Sequence, residues 1–121
     1  MEDKNSRLID AINGYKKAIE EKNTQFRTLQ NLLRDRGLNV FFYYRPDNDD
    51  IHEISWDEFS KGNYRIFLKY RPAPGEEVIQ NPWEETPIII RLKASKYLDS
   101  FVTQYSIYLE DKIDSIMTGD I

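Results

Sequence analysis

The sequence predicts an α+β two-layer fold, in which a four-stranded antiparallel sheet carries a long N-terminal helix and a C-terminal helix on one face. Three observations predict it. Apolar residues recur at helical spacing over 4–36 and again over 94–117. Between them, residues 38–93 hold four runs rich in Val, Ile, Phe, Tyr and Trp, separated by turn residues. The 121 residues are 40% hydrophobic and 13% aromatic, enough for one packed core and a single domain, 1–121.

The first helix, 4–36, carries a heptad stripe of coiled-coil kind: Leu8, Ile12, Tyr15, Ile19, Phe26, Leu29 and Leu33, with one gap at Lys22. Ile9, Ala11, Ala18 and Leu32 widen it. Gly14 costs the helix about 1 kcal/mol relative to Ala, and Asn13-Gly14 is a turn dipeptide. The stripe keeps its register through that point, so the helix is kept. Gly37 followed by Leu38 reads as a glycine stop of the Schellman kind. About 33 residues at 1.5 Å each reach roughly 50 Å, about twice the length of a seven-residue strand. The domain is therefore too small to cover its own helix. Leu8, Ile12, Tyr15 and Ile19 are expected to meet a second copy of the chain. The alternative is a helix that breaks at Asn13-Gly14 or Lys22-Asn23-Thr24 and folds back.

The first strand is read over 38–45, ended by Pro46 and the turn-forming Asp47-Asn48-Asp49-Asp50. The second spans 51–56, the third 64–70, and the fourth 87–93 after a long connection over 71–86. Alternation gives each strand two sides. Val40, Phe42, Tyr44, Ile54, Trp56, Ile66, Leu68, Ile88, Ile90 and Leu92 form the side that meets the helices, with His52 at its edge. Phe41, Tyr43, Arg45, Arg65, Phe67, Lys69, Arg71, Ile89, Arg91 and Lys93 form an open side, cationic with interleaved aromatics. Such a face can stack bases and hold phosphates, meet a protein, or stand solvated. Residues 38–86 hold five basic and ten acidic side chains, a net of −5, so acidic loops ring that face. It suits a nucleotide or small anion better than a long nucleic acid.

Composition excludes a great deal. No cysteine means no disulfide, thiolate nucleophile, thiolate zinc site or iron–sulfur cluster. His52 is the one histidine, which removes multi-histidine metal sites. The five glycines are isolated, so no phosphate-binding glycine loop exists. Asp47-Asn48-Asp49-Asp50 starts like a calcium loop, but Ile51 occupies the third ligand position. Asp49, Asp50, Glu53, Asp57 and Glu58 lie in hydrophilic turns, without the apolar pocket that would tune a carboxyl for acid–base work. No metal, cofactor or catalytic residue is expected. The net charge of −4 weighs against non-specific nucleic-acid binding. A polar N-terminus and the absence of a long apolar run predict neither signal peptide nor membrane span, with the cytoplasm as default.

The strands over 38–45 and 64–70 both run into Tyr-Arg-Pro, at Tyr44-Arg45-Pro46 and Tyr70-Arg71-Pro72. The helix, four strands, helix order resembles the small interaction domains of the RWD type, several of which adjoin a coiled coil. The resemblance is of topology, and Tyr70-Arg71-Pro72-Ala73-Pro74 is a distant echo of the Tyr-Pro motif typical of that family. It carries no site residues over. The expected function is a non-enzymatic, self-associating protein-interaction module, of a size and acidity that suit an inhibitor or immunity-type antagonist of an unidentified partner protein. Trp83, between Pro82 and Pro87, is a candidate partner anchor. The alternative is a binder of nucleotides or small anions that uses the open sheet face.

Overall fold

A computed structural model describes residues 4–119. The chain runs α1 (Lys4–Asp35), β1 (Phe42–Tyr44), β2 (Ile51–Ser60), β3 (Asn63–Tyr70), β4 (Ile79–Pro82), a single 3-10 turn at Trp83–Glu85, α2 (Ile88–Ser95) and α3 (Leu98–Thr118). The strands form a four-stranded antiparallel meander in the order β1-β2-β3-β4. The expected layout of long helix, antiparallel sheet and C-terminal helix is the observed one.

α1 is unbroken through Asn13-Gly14 and Lys22-Asn23-Thr24. It ends as its residues dictate. Gly37 takes φ 68°, the Gly37 amide donates to the Arg34 carbonyl and the Leu38 amide donates to the Leu33 carbonyl, which is the Schellman pattern. Leu38–Phe41 then cross to β1 without strand pairing, so the first strand is shorter than 38–45. The carbonyls of this crossing serve side chains: Leu38 accepts from the Trp56 indole at 2.8 Å, and Val40 accepts from the Tyr105 hydroxyl. β2 continues past Trp56 to Ser60 and turns at Lys61-Gly62, where Gly62 takes φ 76°.

Two expectations are corrected. Residues 87–93 are not a strand. They lead into α2, and the fourth strand is Ile79–Pro82, inside the expected connection. Ile88-Ile89-Ile90 has strand propensity, but Pro87 precedes it with φ −56°, and its carbonyl accepts from the Ile90 and Arg91 amides to open a helix. Ile90 and Ala94, one turn apart, then enter the core together. This burial at helical spacing overrides local propensity. The C-terminal helix starts at Leu98 rather than 94, because Lys96-Tyr97 separates α2 from α3. Second, β2 is irregular between Ile51 and Glu53. Ile51 therefore faces the core opposite Tyr70, whereas His52 is exposed.

All three helices cover the same side of the sheet. Its core joins Ile51, Ile54, Trp56, Ile66, Leu68 and Tyr70 to Phe26 of α1, Ile90 and Ala94 of α2, and Leu98, Phe101 and Tyr105 of α3. Phe42 stacks on Tyr105 at 4.6 Å. β4 pairs only with Phe67–Tyr70, which leaves the first half of β3 without a strand neighbour on that edge. α1 supplies the missing partners. Gln30 accepts the Ile66 amide at 3.0 Å and the Trp83 indole at 3.2 Å, and Arg34 donates to the Tyr64 carbonyl at 3.1 Å. A bare sheet edge is thereby closed.

Candidate interaction surfaces

The N-terminal half of α1 touches little of its own domain. Every residue from Lys4 to Ala18 is exposed, including Leu8 at 58%, Ile12 at 41% and Tyr15 at 62%. Ile19 is half-buried and Phe26 fully buried. Three of the four expected association residues, Leu8, Ile12 and Tyr15, thus lie on the part of the stripe that the domain leaves uncovered, and Ile19 lies at its margin.

The outer side of the sheet carries Tyr43, Arg45, Arg65 and Lys69, with Tyr43 and Phe67 flanking Ser55 across the strands, but Phe67 is buried at 9% exposure and does not offer an open ring. Phe41 lies just ahead of β1, its ring 6.0 Å from Tyr43. The face is nevertheless only weakly cationic, with Glu53 and Asp57 set among Arg45, Arg65 and Lys69. β2 places Glu53 opposite Lys69 and Asp57 opposite Arg65, and Arg45 Nε donates to Glu53 Oε1 at 3.2 Å. The Arg65 guanidinium lies 4.3 Å from the Phe59 ring, and that of Arg45 5.0 Å from Tyr43. A second strand over 51–56 leaves Phe59 off the sheet and Asp57 in a turn, whereas β2 runs to Ser60 and carries both. Its alternation continues through Asp57-Glu58-Phe59 and was the available signal.

Three expected binding residues lie elsewhere. Arg91 is on α2, where it donates to Asn23 Oδ1 at 3.0 Å. Arg71 donates to the Glu76 carbonyl in its own loop. Trp83 is 3% exposed, stacks on Phe26 at 5.1 Å and cannot serve as a surface anchor. The face residues, Arg71 and Arg91 therefore do not form one site. A cavity of about 310 Å³ at the β3 edge instead brings together Arg27, Arg34 and Arg65, with Glu84 among them accepting from the Gln30 amide at 3.3 Å.

The carboxylates are likewise dispersed. Asp50 pairs with Lys93 at 2.6 Å and Glu53 with Arg45. The Arg27 guanidinium, 2.9 Å away, holds the Glu20 carboxyl below its usual range. Burial pushes the Tyr105 phenol well above the usual tyrosine value, with Tyr108 and Tyr64 adding to the shift. Among the described residues, no group of three metal-ligating side chains occurs, and no helix is long and apolar enough to cross a membrane. Comparison with protein-family models, curated proteins and solved structures gives no match.

Proposed function

We propose that the chain is a non-enzymatic, self-associating protein-interaction module, with the N-terminal half of α1 as its association surface. One observation carries this reading: Leu8, Ile9, Ile12 and Tyr15 are each 41–62% exposed along one continuous helix. A contiguous apolar stripe of this kind is the mark of an interaction surface rather than of scattered surface residues. Burying it on a second helix removes apolar area from water, at roughly 25 cal/mol per Å².

The anion-binding alternative would have to draw on residues from the sheet face, the 71–76 loop and α2, and most of these already have partners. An acidic antagonist of another protein remains compatible with self-association, the association arm leaving the outer sheet face free.

Sedimentation equilibrium tests the proposal. The wild-type chain should be dimeric, and Ile12→Asp should be a folded monomer by circular dichroism. A wild-type monomer over the whole accessible concentration range would refute self-association.

A further inference from the structure

α1 and α3 lie side by side and point the same way. One cavity between them is lined by Thr24, Thr28 and Leu32 facing Ser95, Leu98 and Val102. The next is lined by Leu29 and Leu33 facing Phe101, Tyr105 and Leu109. The helices are out of step. α1 overhangs at one end, from Lys4 to about Ile19, and α3 overhangs at the other, beyond Leu109.

Both overhangs continue a core stripe past the core. On α3, Ile113, Ile116 and Met117 are 57%, 60% and 80% exposed and extend the line of Tyr105 and Leu109. Their charges are opposite. Over 4–22, α1 carries Lys4, Arg7, Lys16, Lys17 and Lys22 against Asp10, Glu20 and Glu21, and Glu20 is paired with Arg27. At helical spacing Lys16 borders Ile12 and Ile19 and Lys22 lies in line with the stripe, whereas Asp10, Lys17, Glu20 and Glu21 face away from it. Glu2 and Asp3 lie ahead of this segment, thirteen or more positions from Lys16. Beyond Leu109, α3 carries Glu110, Asp111 and Asp114 against Lys112, with Glu110 and Asp114 bordering Ile113 and Met117. Among the described residues, Lys16, Lys22, Glu110 and Asp114 have no ion-pair partner in their own chain.

We propose that the α1 overhang of one copy docks on the α3 overhang of a second copy. The proposal rests on the self-association reading and names the surface that α1 meets. A twofold axis across the helices lays each basic arm antiparallel on the other copy's acidic arm and closes the pair with two equivalent contacts. Antiparallel dipoles favour that arrangement. A stable interface buries roughly 1,200–2,000 Å² in total, and two equivalent contacts share that requirement between them. Pairing α1 with α1 would instead set lysines against lysines and leave the α3 stripe bare.

Charge reversal on the full chain tests this. One variant carries Lys16→Glu and Lys22→Glu, the other Glu110→Lys and Asp114→Lys; all four sites are exposed. Each variant alone should dimerise about tenfold or more weakly than wild type, because both contacts become like-charged. Mixing the two should restore dimers, since both contacts are then complementary. Sedimentation of the mixture and of each variant reads the outcome. If wild type is dimeric but the Glu110→Lys, Asp114→Lys variant dimerises equally well, the α3 contact is refuted and self-association stands. If wild type is a monomer, both fail.

Discussion

The two halves of α1 carry the same apolar stripe and have opposite fates. In the C-terminal half, Phe26 stacks on Trp83, Gln30 holds the Ile66 amide and the Trp83 indole, and Arg34 reaches the Tyr64 carbonyl. In the N-terminal half, Leu8, Ile12 and Tyr15 stand in solvent. The difference arises in the sheet rather than in the helix. β4 stops at Pro82 and uncovers an edge of β3 that one half of α1 fills, and the other half extends beyond it. A heptad pattern therefore states a need for burial without saying which surface meets it.

Removing the Phe26 side chain should break the covered half. Phe26→Ala is expected to cost about 3–5 kcal/mol in urea denaturation, because it empties a site with 0% exposure. Leu8→Ala, measured where the chain is monomeric, should change stability by less than about 0.5 kcal/mol. Equal losses at both sites would mean that the arm is covered by its own domain.

Gln30→Ala tests the polar part of the same contact. It leaves the Ile66 amide and the Trp83 indole without their acceptor. A loss of roughly 2–3 kcal/mol is expected, against almost none for Gln25→Ala on the exposed side.

Tyr105 sharpens the comparison through pH. Its phenol is raised in the folded chain by burial, so folding favours the neutral form. The stability this represents is fully present below about pH 10, where tyrosines of the unfolded chain begin to ionise. It is lost as pH rises from there towards the native value. Urea midpoints should fall more steeply above that pH in wild type than in Tyr105→Phe. Parallel profiles would assign the alkaline loss to other groups.

The smallest expected effect lies in the arm itself. A Cβ at Gly14 meets nothing within 4 Å. Gly14→Ala should slow amide exchange across Ile9–Ile19 by an amount equivalent to about 0.5–1 kcal/mol, with the core midpoint unmoved. A shifted core midpoint would show that the arm and the core unfold together.

What the sequence revealed follows from which interactions are local. The heptad from Leu8 to Leu33 and the Gly37-Leu38 stop depend on neighbours within two turns, and both are found. The alternation of 64–70 and the Gly62 turn are equally local. Residues 88–93 misled because three consecutive isoleucines favour a strand, and only the distant core decides that Ile90 and Ala94 are buried at helical spacing. Trp83 misled for a related reason: its partners Phe26 and Gln30 lie more than fifty positions away. Of the candidate site, the exposed stripe was legible as excess helix length. The charge on the outer sheet face was not legible, because Glu53 and Asp57 join that face only through the register that sets β2 opposite Lys69 and Arg65, and Glu53 pairs with Arg45.

The meander has a kinetic consequence. Each strand pairs with its sequence neighbour, and β2 and β3 join through a two-residue turn, so the sheet closes only short loops as it forms. The bonds from Gln30 to Ile66 and Trp83 span 36 and 53 residues and close far larger ones. The sheet is therefore expected to nucleate first and α1 to dock afterwards, with φ-values near zero at Phe26 and Gln30 and high values in the β2–β3 hairpin. The helix that precedes the sheet in the chain would then be the later of the two to find its place.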